Sequence, residues 1–197
     1  MATGLAAGSA AASPVWASLV TTPRQTSGPF YPLELPLDDD NDLTSVDGAS
    51  VGATGEVIHV TGHILNIDGT PLDGARVELW QANAAGRYHH PLDSSSRAVD
   101  AGFQGFGHTI TAGDGAYRFK TIRPGLYPGR TRHLHFAVRA PDGRELVTQM
   151  YFAGEPGNTK DGLLRRIEDP AQRENVVVDF APINDGGTHG QFNMVLA

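Results

Sequence analysis

Seven short runs of β-branched and aromatic residues, each ended by turn-forming residues, govern what this chain can fold into. Residues 57–65 (Val-Ile-His-Val-Thr-Gly-His-Ile-Leu) stop at Asn66-Ile67-Asp68-Gly69, a hairpin-type turn signal. Residues 75–81 alternate apolar and polar side chains, which predicts a strand with one buried face. Residues 115–122 alternate again after Gly113-Asp114-Gly115, and residues 132–138 run up to the turn Pro141-Asp142-Gly143. Residues 146–152, 176–180 and 191–196 complete the set. Such strands cannot bury a face alone, and together they predict an antiparallel sandwich or barrel. The spacing of Leu163, Leu164 and Ile167 predicts one short helix around Thr159 to Ile167. The 24 Gly and 13 Pro among 197 residues suit this turn-rich plan better than a helical bundle. There is no internal repeat, and the length points to one domain with a real core, over residues 21–197.

Residues 1–20 stand apart. The first twelve are almost all Ala, Gly and Ser, and Ser13-Pro14-Val15-Trp16-Ala17 follows. Without a basic n-region this is either an extension or the remnant of a signal peptide, its small residues resembling a cleavage site. The second reading implies export to the periplasm or outside; the first leaves a cytoplasmic home open. No run is apolar enough to span a membrane. The formal charge of −7 argues against a nucleic-acid partner, which requires a basic face. It permits self-association into a homo-oligomer without specifying it. Asp38, Asp39, Asp40 and Asp42 form an acidic cluster that reads as a solvated loop or a calcium loop, without the glycine and distal glutamate of an EF-hand.

Zero Cys beside eight His excludes thiolate chemistry and disulfides, so a metal site here needs His, carboxylate or Tyr. The pattern His133-Leu134-His135-Phe136 places two imidazoles on one face of a strand and two apolar side chains on the other. Such a pair is half of a metal site or a structural feature of a strand. Carboxylate partners would suggest a ferrous site, yet Arg130, Thr131 and Arg132 precede the pair. Tyr127 lies on a Pro-Gly turn six residues before His133, and Tyr88 follows a strand end in Gly86-Arg87-Tyr88-His89-His90-Pro91. A phenol ionises only near pH 10, so Tyr is a poor ligand for soft divalent ions. A hard trivalent ion changes that, and a site of two His and two Tyr would select Fe(III).

At these residues the chain resembles the intradiol ring-cleavage dioxygenases, and among them the protocatechuate 3,4-dioxygenase β-subunit type. The resemblance runs from Thr22-Pro23-Arg24-Gln25-Thr26-Ser27-Gly28-Pro29-Phe30-Tyr31-Pro32 to about Ile167. It passes through Val77-Glu78-Leu79-Trp80-Gln81, Gly86-Arg87-Tyr88, Phe103-Gln104-Gly105-Phe106-Gly107, Arg123-Pro124-Gly125-Leu126-Tyr127-Pro128, the two histidines and Thr148-Gln149-Met150-Tyr151-Phe152. It implies an all-β antiparallel sandwich of transthyretin-like (prealbumin-like) topology, with long loops and at most one or two short helices. It also implies a non-haem Fe(III) held by Tyr88, Tyr127, His133 and His135. Tyr127 would be the ligand that leaves when substrate chelates. Arg130 would stabilise charge on the bound ring, Gln149 would stand behind Arg130, and Trp80 would line the substrate pocket. The substrate would be a catechol-type 1,2-dihydroxybenzene, cleaved with O2 between its hydroxyls to a cis,cis-muconate-type dicarboxylate.

Two departures from the family pattern bear on the pocket. The Tyr127–His133 loop is short, and Gly129 stands where an aromatic pocket residue is usual. The remaining histidines do not read as ligands: His89, His90 and His108 are loop groups or groups standing behind the ligands, and His59, His63 and His189 lie on strands or the surface. The rival reading is a transthyretin-like binding module without chemistry, or a degenerate dioxygenase subunit, over the strand–turn–strand pattern of 57–122.

Overall fold

The longest β-branched run becomes the strand around which one sheet is built. The computed structural model describes residues 19–36, 38–184 and 186–197. The reading of residues 1–17 as tail or signal remnant therefore lies outside the described residues. In chain order the strands are β1 (Val57–Asn66), β2 (Arg76–Trp80), β3 (Phe106–Ile110), β4 (Ala116–Ile122), β5 (His133–Arg139) and β6 (Glu145–Phe152). Two one-turn helices follow, α1 (Gly162–Arg165) and α2 (Pro170–Asn175). The chain closes with β7 (Val177–Val178), β8 (Ala181–Ile183), β9 (Gly187–Gln191) and β10 (Met194–Leu196).

The strands form two five-stranded sheets. In the first, β1 carries β4 antiparallel on one edge, and β9 and β10 parallel on the other, with β8 outside β9. The second has the order β3-β2-β5-β6-β7. Alternation along β1 turns Ile58, Val60 and Ile64 inward. Leu134, Phe136 and Val138 of β5 meet them from the other sheet within one core. Phe136 sits at the centre, its ring 6.2 Å from Phe119 and 5.4 Å from Phe192 of the facing layer.

The mostly-β, two-layer architecture matches the expected fold class and differs in detail, with β3, β8 and most of β9 lying outside the seven expected runs. Three strand pairs are parallel, two of them made by C-terminal strands returning to β1. The expected helix shrinks to a 3-10 turn (Pro156–Thr159) and the single turn of α1, while α2 was not foreseen. Strand β2 was expected to bury one face, yet residues Val77 to Trp80 are buried on both. The cause is a strap of irregular chain laid across the outer face of the second sheet. Gln25 N donates to Val147 O (2.8 Å), Thr148 Oγ1 to Pro23 O (2.8 Å) and Tyr31 Oη to Glu78 Oε2 (3.0 Å). A second apolar cluster forms there around Trp80, Tyr88 and Phe106, with Phe30, Tyr31 and Tyr127 packed against it.

Replacing Phe136 with Ala should cost about 3–5 kcal/mol in denaturant unfolding, since the rings of Tyr117, Phe119 and Phe192 from the facing layer wall the site. A loss below about 1 kcal/mol would contradict its place at the sandwich centre.

Candidate active site

The outer face of β5 is left to carry the candidate site because its inner face carries the core. With Leu134 and Phe136 turned inward, His133 and His135 must project outward. Sheet register then decides their neighbours. Trp80 of β2 lies opposite His135, Gln149 of β6 flanks His135 from the other side, and Tyr151 flanks His133. The indole of Trp80 stacks flat on the His135 ring, with centroids 5.0 Å apart and planes 12° apart.

Two loops bring the tyrosines. Tyr88 sits on the β2–β3 connection, its N–H donating to Asp93 Oδ2 (2.7 Å), and Phe30 of the strap stacks on its ring at 4.6 Å. Tyr127 sits on the β4–β5 connection and is half-buried. The loops are joined where a side chain has no room. A Cβ on Gly86 would lie 2.2 Å from Leu126 O, and one on Gly125 would lie 2.3 Å from Ala84 O. Gly125 N donates to Asn83 O (2.8 Å) across this junction. Behind it, Glu155 accepts from Arg132 Nε (2.8 Å) and Arg123 Nη2 (3.0 Å), pinning the ends of the second loop.

Four side chains named in the sequence thus meet in one pocket. The Tyr88 ring is 5.8 Å from Tyr127 and 6.2 Å from His135, and His133 is 5.9 Å from Tyr127 and 5.0 Å from His135. The Tyr88 hydroxyl lies 3.5 Å from His133 Nε2. His133 Nδ1 is bonded to the Thr131 carbonyl (2.7 Å), which can only accept. That fixes the proton on Nδ1 and leaves the Nε2 lone pair facing the pocket. The Nδ1 of His135 is buried without a hydrogen-bond partner.

The electrostatics leave the two imidazoles and the Tyr88 phenol neutral. Burial, and secondly the Arg130 cation, push His133 down to about 4. Burial, then His133 and Arg130, hold His135 well below the ordinary imidazole range. Burial, then Tyr127, raises the Tyr88 phenol far above its usual value, so phenolate there requires a compensating cation. Among the described residues no three His, Cys, Asp or Glu side chains gather as a metal-binding group. A metal at the histidine pair would have to recruit the phenols. The donor set fits a hard trivalent cation: imidazole lone pairs free at neutral pH and phenols that one can deprotonate.

Arg130 closes one side. Its Nε donates to Asp161 Oδ2 (2.8 Å), its Nη2 to Gln149 Oε1 (2.7 Å) and its Nη1 to His133 Nε2 (3.3 Å). Burial would lower its pKa, but the Asp161 bond and charge outweigh that and raise it. Gln149 is wholly buried and held in turn by the strap: its Nε2 donates to Thr26 O (2.9 Å) and its N–H to Gln25 Oε1 (3.0 Å). Gly129 is the exception among the expected residues. It lies exposed on the Tyr127–Arg130 turn at φ +79°, with nothing within 4 Å of where its Cβ would be, and is not packed into the cluster.

Sequence reasoning missed Phe30, Gln25, Tyr151 and Asp161. Phe30 and Gln25 sit inside a quoted motif, but nothing in their spacing tells that irregular chain will fold over the sheet. Asp161 lies inside the stretch expected as a short helix, where nothing in the sequence sets it apart. Of the other histidines, His108 Nδ1 bonds to Asp39 O (2.8 Å) and His189 Nε2 to Thr61 Oγ1 (2.7 Å), while His90 packs edge-on against Phe30 at 5.7 Å. The acidic cluster is consumed by turns, with Asp42 on Thr44 and Lys120 and Asp38 on the Asp47 N–H. A cleft of about 700 Å³ between residues 21–26 and the C-terminus contains none of the tyrosine–histidine group.

Residues 26–197 match the dioxygenase family. The chain belongs to the intradiol dioxygenases. It is 39% identical over 150 residues to the protocatechuate 3,4-dioxygenase β chain of Burkholderia cepacia, an overlap of 72% of this chain and 63% of that one. It is 29% identical over 176 residues to the hydroxyquinol 1,2-dioxygenase of Rhizobium sp. (strain MTP-10005), covering 80% and 55%. Among solved structures it superposes on the dioxygenase domain of a dioxygenase carbohydrate-binding protein fusion from Streptomyces sp. SirexAA-E. That match has a TM-score of 0.70 and 33% identity, and covers 90% of this chain and 98% of that one. The chain thus spans 55–63% of the length of these two curated relatives.

The depressed His133 pKa sets an acid limit for the metal-free protein. Unfolded imidazole titrates near 6.5, so the unfolded state binds the extra proton as pH falls from about 6.5 towards the folded value of about 4. Stability should fall by on the order of 3 kcal/mol across that window, and His133→Gln should flatten the slope. Denaturation of both proteins at pH 7, 5.5 and 4.5 tests this; parallel curves would contradict it.

Proposed function

We propose that this dioxygenase is a non-haem Fe(III) intradiol enzyme. It opens the ring of a catechol-type substrate between the two hydroxyls with O2, giving a cis,cis-muconate-type dicarboxylate. The observation that carries the reading is the meeting of two phenols and two neutral imidazoles in one buried pocket beside a fixed arginine. Tyr88, Tyr127, His133 and His135 would hold the iron. When bound, ferric iron supplies a Lewis acid that draws electron density from a chelated catecholate and opens a ring carbon to O2.

The chain's own residues then divide the work. His133 presents Nε2 because Thr131 holds its other nitrogen, and His135 is kept in orientation by the Trp80 stack. Tyr88, buried and clamped by Phe30, is suited to remain in place. Tyr127 is the phenol suited to leave. It is half-buried, on a turn whose next residues, Pro128 and Gly129, are exposed. Its phenol oxygen would be the group to hold a proton given up by a substrate hydroxyl. Arg130 offers preorganised positive charge to the anionic ring, and Gln149 keeps it there. Trp80 forms one wall and excludes water. The bare Gly129 turn leaves the mouth open to substituted rings, which supports a protocatechuate-like or bulkier catechol.

Metal-free protein given Fe(III) should turn red to burgundy, from phenolate-to-iron charge transfer. Tyr127→Phe should weaken or shift that band and slow turnover; a colourless reconstituted protein, or an unaltered band and rate in the variant, counts against the assignment. Arg130→Gln should keep the colour and lower kcat by about 10²–10³-fold. A drop under threefold would remove Arg130 from the chemistry.

A further inference from the structure

A single carboxylate links the active-site arginine to the rest of the fold. The Asp161 side chain is 0% exposed, and Arg130 reaches it from 31 residues away. Its Oδ1 accepts from Leu163 N (2.9 Å) and Leu164 N (3.0 Å), capping α1. Its Oδ2 accepts from Arg130 Nε (2.8 Å) and from the neighbouring Thr131 N (2.9 Å).

The chain contains its own comparison. Asp169 caps α2 in the same way, taking Ala171 N (2.8 Å) and Gln172 N (3.3 Å), and does so while exposed. Capping a one-turn helix therefore does not require burial. Burying a carboxylate is costly unless charge and hydrogen bonds compensate. At Asp161 the compensation comes from the one guanidinium that also touches Gln149 and His133. Among the guanidinium's partners Asp161, Gln149 and His133, Asp161 is the anionic one, and through Thr131 N it holds the backbone of the same turn.

We propose that Asp161 is a positioning residue: it fixes the Arg130 guanidinium at the mouth of the tyrosine–histidine pocket and couples that pose to α1. The proposal rests on the functional reading above for its effect on turnover, but the Asp161–Arg130 link itself can be read without iron. Asp161→Asn keeps a good helix cap and the side-chain shape, yet presents an amide to two N–H donors.

The test uses the full chain in five forms: wild type, Asp161→Asn, Arg130→Gln, the double variant, and Asp169→Asn as a cap-only control. In metal-free protein, nitrogen NMR should show a shifted, exchange-protected Arg130 Nε–H in wild type and D169N. That protection should be lost in D161N, and its persistence there overturns the proposal. In iron-loaded protein D161N should keep the visible band and lose about 10–100-fold in kcat/KM. The same change on the R130Q background should cost less than twofold, because both act through one group. Equal losses on the two backgrounds, or an active D161N, also overturn it. Asp161→Ser, which retains the cap without the charge, replaces D161N if the latter does not fold, with the same expectations. A colourless, inactive wild type would sink the functional reading, while the NMR result would still decide the link.

Discussion

The two-residue period of one strand is the constraint from which the rest of this molecule follows. On β5, every residue turned into the sandwich forces its neighbour outward, so Leu134 and Phe136 cannot fill the core without presenting His133 and His135 on the far side. Burying both faces of β2 and β5 is unusual for a strand in an antiparallel setting. Here it is achieved by the strap that carries Phe30 and Tyr31 and by the loops that carry Tyr88 and Tyr127. The site is thus a second, smaller core, and the same packing that excludes water from it supplies its chemistry.

Exclusion of water explains why the two imidazoles and the Tyr88 phenol are neutral without metal. Burial lowers both imidazole pKa values and raises that of Tyr88, so the groups wait as uncharged donors. Only a strongly charged cation can offset the cost of phenolate at that depth. The glycine contact between the two tyrosine loops sets how closely the phenols approach. The chain Asp161–Arg130–Gln149–Thr26 then ties one wall of the pocket to α1 on one side and to the strap on the other.

How much of this could be read from residues alone depended on whether a period existed to read. The histidine pair was legible because a strand makes His133 and His135 neighbours by geometry. Tyr88 and Tyr127 lie in loops without periodicity, and only the surrounding motifs drew attention to them. Strand β9 (Gly-Thr-His-Gly-Gln) was invisible, since its place is set by the ladder to β1 rather than by an apolar face. The strap was illegible for a related reason: its bonds run to positions more than a hundred residues away, as from Gln25 to Gln149 and Tyr151. Asp161 lay unremarked inside the expected helix, and nothing local hints at an arginine arriving from the β4–β5 loop. Gly129, singled out by its departure from the family pattern, lies exposed at the rim rather than among the packed groups.

The central claim is that two phenols and two imidazoles on one sheet face make a ferric site that splits a catechol between its hydroxyls. The most direct measurement is mass spectrometry of the product formed by iron-loaded protein from catechol under labelled ¹⁸O2. The account predicts cis,cis-muconate carrying both labelled atoms. A semialdehyde from cleavage beside the hydroxyls, or a product with no label, would contradict it.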